Sequence, residues 1–219
     1  MKNYTIGFYL EKLYYSPQFE PVIREIIKRN ISYVVIIPKN LERDELNQRE
    51  ESIKYCKEEN FIYCLEEDDC ACNVMVFGNT PHPTHTRFKK SALIMHGVWG
   101  GKTVNAAPSL NNVDLRFLDG KFLENSLSEL FPEKKSIYYV SGYSKLDSYF
   151  KLTDEERIKF LQHCNLDVNK KTILYAPTFY PSSVLNMGKK FPEDLAEYNI
   201  ILKPHSHLFL RKKYRKDLH

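Results

Sequence analysis

Two histidines stand at the ends of apolar, β-type runs: His96 in Leu93-Ile94-Met95-His96-Gly97, and His205 in Ile201-Leu202-Lys203-Pro204-His205. Imidazole titrates near neutrality, so at a strand end it can take a proton from a hydroxyl or face a developing charge. Gly97 lets backbone approach a ligand closely, and Lys102 brings a cation to the same loop. Lys203 does so beside His205. Two more strand-end loops carry polar groups: Val140-Ser141-Gly142-Tyr143-Ser144-Lys145-Leu146-Asp147, and Tyr175-Ala176-Pro177-Thr178. Cations, imidazoles and a hydroxyl suit phosphoryl transfer, where positioning and neutralisation of phosphate charge carry most of the catalysis. The structural alternative for each histidine is a hydrogen-bonded residue of the fold.

Other motifs fit less well. Gly100-Gly101-Lys102-Thr103 resembles the end of a P-loop, but the leading glycine would fall at His96, and Pro108 stands where a phosphate-binding helix should run. Cys70-Ala71-Cys72 with His82 and His85 offers four soft or borderline ligands, yet the spacing is not that of a structural zinc site; no metal and no cofactor is expected. The acidic run Glu66-Glu67-Asp68-Asp69 reads as a solvated turn. Tyr138, Tyr139, Tyr149 and Phe150 read as packing residues rather than a base-stacking platform.

The elements that must hold these loops alternate in type. Residues 4–10 form a β-type run. Ser16-Pro17 supplies an N-cap and a first-turn proline, and Phe19, Val22, Ile23, Ile26 and Ile27 make a helical stripe. Residues 31–37 are almost wholly apolar and β-branched, as a strand covered on both faces should be. An exposed helix is expected over 45–58, strands over 74–77, 92–95, 115–118 and 137–140, and a helix over 121–131. The alternation points to α/β architecture with a mainly parallel sheet. Near residue 148 the pattern restarts: Thr153-Asp154-Glu155-Glu156 is a capping box, with strands following at 172–176 and 199–203. The expected domains are 1–150 and 151–219, the second an incomplete α/β unit, as in a truncated or fragmentary chain.

With 219 residues, 42% hydrophobic and 27% charged, the chain excludes collagenous, low-complexity and disordered classes. The formal charge of +4 resides in residues 211–219, which hold five basic residues and one acidic, leaving 27 of each elsewhere. That is no nucleic-acid footprint. A basic terminal cluster suits anionic lipid or a polyanionic substrate, or forms the solvated side of a helix. Five cysteines without a secretory leader fit a reducing cytoplasm, and no apolar run is long enough to span a membrane.

The four loops, in this order, resemble the CDP-glycerol glycerophosphotransferase family of teichoic-acid and capsule synthesis, with its H-G-T-P-like, G-Y-P-R-x-D-like, Y-A-P-T and R/K-x-H-P segments. The counterparts are His96-Gly97, Gly142 through Asp147, Tyr175 through Thr178, and Lys203-Pro204-His205. The resemblance implies a GT-B-like fold of two Rossmann-type halves. It implies metal-independent transfer of a polyol phosphate from a CDP-activated donor to an acceptor hydroxyl, with release of CMP. His96 would be the general base, and His205 with Lys203 would face the donor phosphates. Gly97, Lys102, Lys145, Asp147 and Thr178 complete the expected substrate-binding set. The acceptor would be a lipid-linked or polymeric polyol phosphate, met in the cytoplasm at the inner face of the membrane. Departures are Trp99-Gly100-Gly101 for a proline-containing stretch, Ser144 for a proline, and no later D-x-S-S-type donor segment before His219. They leave open another polyol or sugar phosphate, a glycosyltransferase using a nucleotide sugar, or a non-catalytic module binding a polyanionic acceptor.

Overall fold

The computed structural model describes residues 2–39, 48–81, 84, 86–98, 107–133, 135–177, 183 and 190–205. The chain divides into two compact units, Met1–Lys151 and Leu152–His219.

The first unit is built on seven strands: β1 (Lys2–Tyr9), β2 (Tyr33–Ile37), β3 (Tyr63–Leu65), β4 (Cys70–Phe77), β5 (Arg87–Ile94), β6 (Leu115–Leu118) and β7 (Ile137–Val140). They lie in the order β3-β2-β1-β4-β5-β6-β7, and every pairing is parallel. This is the doubly wound order, whose carboxyl-end crevice at the reversal of direction is the usual place for a ligand. β2 explains its own burial. Val35 and Ile37 join the core on one face of the sheet, Val34 and Ile36 the core on the other, and all five residues are buried.

Helix α1 (Ser16–Lys28) lays Phe19, Ile23 and Ile26 on the first of those faces. The expected stripe is narrower than its sequence suggests, because Ile27 is exposed. Ser16 is not the N-cap either. A 3₁₀ turn over Leu13–Tyr15 runs straight into the helix, so Tyr15 holds that position and Ser16 is already helical. Helix α2 (Gln48–Glu58) adds Cys56 to the same core, and α3 (Lys121–Leu130) packs Leu123 and Leu127 with Leu118 in a third cluster.

One device ends three helices. Asn30 after α1, Asn60 after α2 and Asn165 after α4 (Asp154–His163) take positive φ angles of 54°, 56° and 56°. In each, the next residue, Ile31, Phe61 or Leu166, donates its N–H five residues back, to Ile26, Cys56 or Leu161. This closes the last turn and drops an apolar side chain beside the helix. Asparagine tolerates the left-handed region better than most residues.

On the α1 face, Ile6, Phe8, Val74, Val76, Ala92, Ile94, Leu115 and Phe117 floor an apolar groove of about 550 Å³ walled by α1. The strip continues onto β7, where Ile137 and Tyr139 are exposed.

In the second unit, β8 (Thr172–Tyr175) and β9 (Asn199–Leu202) pair in parallel, with α4 and the short α5 (Phe191–Asp194). The α4 capping box is complete: Thr153 accepts from the Glu156 N–H, and Glu156 accepts from the Thr153 N–H. Buried Asn199 donates to the Asp167 carbonyl at 2.7 Å and accepts from the Asp167 N–H at 3.1 Å, pinning the segment before β8 to β9.

Candidate active site

His96 follows β5 at the carboxyl edge of the sheet, and one carbonyl fixes it twice. The Gly78 oxygen, just past β4, accepts the His96 N–H at 3.1 Å and lies 2.9 Å from Nδ1. A carbonyl only accepts, so Nδ1 carries the proton and Nε2 keeps its lone pair in the neutral ring. That is the tautomer a base needs. Tyr15 stacks on the imidazole at 4.9 Å with 27° between planes, and Tyr14 meets its edge at 5.3 Å. Burial raises both tyrosine pKa values above the ordinary phenol value, so the two rings are neutral walls. Gly78 has to be glycine: a Cβ there would lie 2.6 Å from the Tyr15 ring.

The loop after β7 closes on the same place. Ser141 and Gly142 both donate N–H to the Leu118 carbonyl, and Gly142 turns with φ 81°, where a side chain would be strained. Tyr143 then donates its hydroxyl to the His96 carbonyl at 2.8 Å, joining two of the sequence motifs directly. Ser144, at the position where the resemblance implies a proline, donates to the Gln18 carbonyl at 2.7 Å and accepts from Gln18 Nε2 at 3.0 Å. The departure thus ties the loop to α1.

Between these loops lies a small cavity of about 20 Å³, lined by Gln18, Met95, Gly97, Arg116, Asp119, Ser141, Gly142, Tyr143 and apolar neighbours. At Gly97 a Cβ would meet open space, so the backbone there is simply accessible. Arg116 is fully buried on β6 and donates to Asn111 Oδ1 at 2.5 Å, which also accepts from the Tyr138 hydroxyl at 3.2 Å. Burial lowers the Arg116 pKa from its ordinary value, while Asp119 and Tyr138 act in opposition.

The remaining expected residues are distributed otherwise. Asp147 lines the larger apolar groove with Glu25 and Arg29, and Lys145 is exposed beside it, lining neither cavity. Lys203 and His205 belong to the second unit, where their N–H groups bond the Tyr175 and Pro177 carbonyls at 2.9 and 3.2 Å. The segment after β9 thus runs alongside the segment after β8. Lys102 and Thr178 lie outside the described residues, as do His82, His85 and residues 206–219.

Cys70 and Cys72 begin β4 with their side chains in the core, and Cys72 crowds Gly7. Burial pushes the Cys72 thiol up to about 12. Among the described residues no group of three or more His, Cys, Asp or Glu side chains is arranged to hold a metal. The acidic run is not wholly solvated. Glu66 is buried and accepts from the Tyr9 hydroxyl, the Lys39 N–H and Thr84 Oγ1 at 3.3, 3.2 and 2.5 Å. No helix among the described residues is long and apolar enough to cross a membrane.

Gln18, Gly78, Tyr15 and Arg116 were not expected from the sequence. The signal for Gly78 was available, since a glycine directly after an apolar strand marks close backbone approach.

A seven-stranded parallel sheet in doubly wound order defines an α/β protein, and its structural matches make the fold GT-B-like. The same fold occurs in the wall teichoic acid polymerase TagF, with TM-score 0.55, 16% identity, and coverage of 94% of this chain and 57% of that one. A histidine-to-alanine variant of TagF matches with TM-score 0.56 and 14% identity, over 96% and 57% of the two chains. A histidine-to-asparagine variant soaked with CDPG matches with TM-score 0.56 and 15% identity, over 96% and 58%. The chain therefore spans about 57% of the length of these structures. No curated protein matches it significantly. Over residues 88–216, more than half of its length, the chain matches the CDP-glycerol:poly(glycerophosphate) glycerophosphotransferase family, and it belongs to that family.

Proposed function

We propose that the chain transfers glycerol phosphate, or a closely related polyol phosphate, from a CDP-activated donor to the terminal hydroxyl of a growing polyol-phosphate acceptor. The observation that carries this reading is the lock on His96: Nδ1 is held by the Gly78 carbonyl, leaving Nε2 as the base. The acceptor hydroxyl gives its proton to Nε2 as its oxygen attacks the donor phosphorus bearing the glycerol. The bond from that phosphorus to the bridging oxygen breaks, and CMP leaves with the electron pair. His205 and Lys203 neutralise charge on the donor phosphates, and Lys145, Lys102 and Thr178 are further phosphate contacts. Gly97 and Asp147 belong to the acceptor side. The acceptor is polymeric or lipid-linked, and the basic stretch 211–219 suits the anionic inner face of a membrane.

The test is CMP release from CDP-glycerol in the presence of a glycerol-phosphate acceptor. His96→Ala is expected to lower turnover by at least about 10², the scale of a lost general base. A folded His96→Ala protein with a parent-like rate removes the histidine from this role.

A further inference from the structure

We infer that the small cavity beside His96 is a hydroxyl subsite, shaped for the neutral hydroxyl on the acceptor carbon next to the one whose oxygen His96 deprotonates. The inference rests on the transfer reading above and names the acceptor feature that the site selects.

Gln18 sets the chemistry. It is 2% exposed, and its Oε1 is buried and accepts from no described residue. The amide orientation follows from its neighbour. Ser144 Oγ spends its proton on the Gln18 carbonyl, so it can only accept from the side chain, and Nε2 must face it. Oε1 is therefore the acceptor left over, on a residue that lines the cavity. A buried carbonyl oxygen of this kind calls for a donor.

The rest of the lining decides which donor. Asp119 adds a carboxylate to the wall, and Arg116 adds a buried guanidinium. A phosphate placed here would set its oxygens against both the Gln18 carbonyl and the Asp119 carboxylate. A neutral hydroxyl suits both signs, donating to Gln18 Oε1 and accepting from Arg116. At about 20 Å³ the space takes one hydroxyl-sized group and no phosphate. Met95 and Gly97, the residues on either side of His96, both line the cavity, and Tyr143 in its wall donates to the His96 carbonyl, so the subsite adjoins the segment that carries the base.

The test compares glycerol 3-phosphate with 3-hydroxypropyl phosphate, which lacks the neighbouring hydroxyl. Titrated into the 219-residue chain and followed by NMR, glycerol 3-phosphate is expected to bind about tenfold more tightly, the worth of one neutral hydrogen bond. Gln18→Leu is expected to bring the two affinities within about twofold of each other. Because the ligand pair is compared first on the parent chain, the result does not depend on the variant folding. Equal affinities on the parent chain, or no binding of either ligand at millimolar concentration, overturns the subsite. His96→Ala should keep the discrimination while losing turnover. Loss of the transfer reading with discrimination intact, or of discrimination with CMP release intact, tells the two failures apart.

Discussion

Gly78→Ala perturbs the candidate site without touching a reacting group. The new Cβ would sit 2.6 and 2.8 Å from Cδ2 and Cγ of Tyr15, about 1 Å inside ordinary carbon contact. These atoms are at the root of the ring rather than at a flexible tip. Tyr15 is 1% exposed and packs against Phe19 and Tyr14 as well as His96, so the ring has no free direction in which to yield. Overpacking of this kind costs about 1–3 kcal/mol of stability. Relief can come only by moving the Gly78 segment, whose carbonyl holds both the His96 N–H and Nδ1. A displacement of about 1 Å in a catalytic group costs on the order of 10² in rate. Urea denaturation and CMP release on the same preparation measure the two effects. The double variant Gly78→Ala with Tyr15→Leu should recover part of the activity as the contact is relieved. If Gly78→Ala matches its parent in stability within about 0.5 kcal/mol and in rate, the close approach does not position the histidine.

Tyr143→Phe removes the hydrogen bond that joins the loop after β7 to the His96 carbonyl. It should lower turnover about fivefold to tenfold, the equivalent of about 1 kcal/mol, with CDP-glycerol affinity unchanged; parent-like kinetics would separate the loop from the base. Asp114 tests the sheet's electrostatics. The Lys90 ammonium at 2.7 Å and the Ser91 N–H at 2.8 Å hold its carboxyl down to about 2. A shift of that size corresponds to roughly 2 kcal/mol. The carboxylate is 40% exposed, so solvent screening leaves about 1 kcal/mol. With the folded pKa depressed, this contribution is complete above about pH 4 and disappears as the pH falls towards 2. Asp114→Asn should therefore be less stable near neutrality by about that amount, with the gap closing in acid; urea melts showing a constant gap would refute the assignment.

Much of the framework was legible because the buried strands advertise themselves. Residues 115–118 and 137–140 were read with the bounds that β6 and β7 have, and the apolar, β-branched run of β2 announced a strand covered on both faces. β3 escaped notice because three residues, Tyr63–Leu65, hold too short a pattern. β5 reads too short because its first residues, Arg87 to Ser91, are polar except for Phe88 and largely exposed, so only the ladder with β4 reveals it. The asparagine caps go unread for a different reason, although the end of α2 at Glu58 agrees with the expected helix over 45–58: Asn30, Asn60 and Asn165 look like ordinary polar residues until their φ angles are known. At the site, His96 was visible from its place after a strand. The contacts that build the site around it were not, since Gly78 lies 18 residues from His96 and the Gln18–Ser144 pair spans 126. Glu66 looks like a solvated residue in sequence because the hydroxyls that donate to it, from Tyr9 and Thr84, come from distant parts of the chain.

The double grip of the Gly78 oxygen on His96 makes the imidazole a one-ended device. Its inner nitrogen faces a dead end, because a carbonyl cannot pass a proton on. Whatever Nε2 collects must leave by the way it entered, so the ring cannot relay protons through the sheet edge to bulk solvent. An acylating reagent should likewise mark Nε2 alone. In the proposed role, resetting the base is thereby tied to emptying the space in front of it.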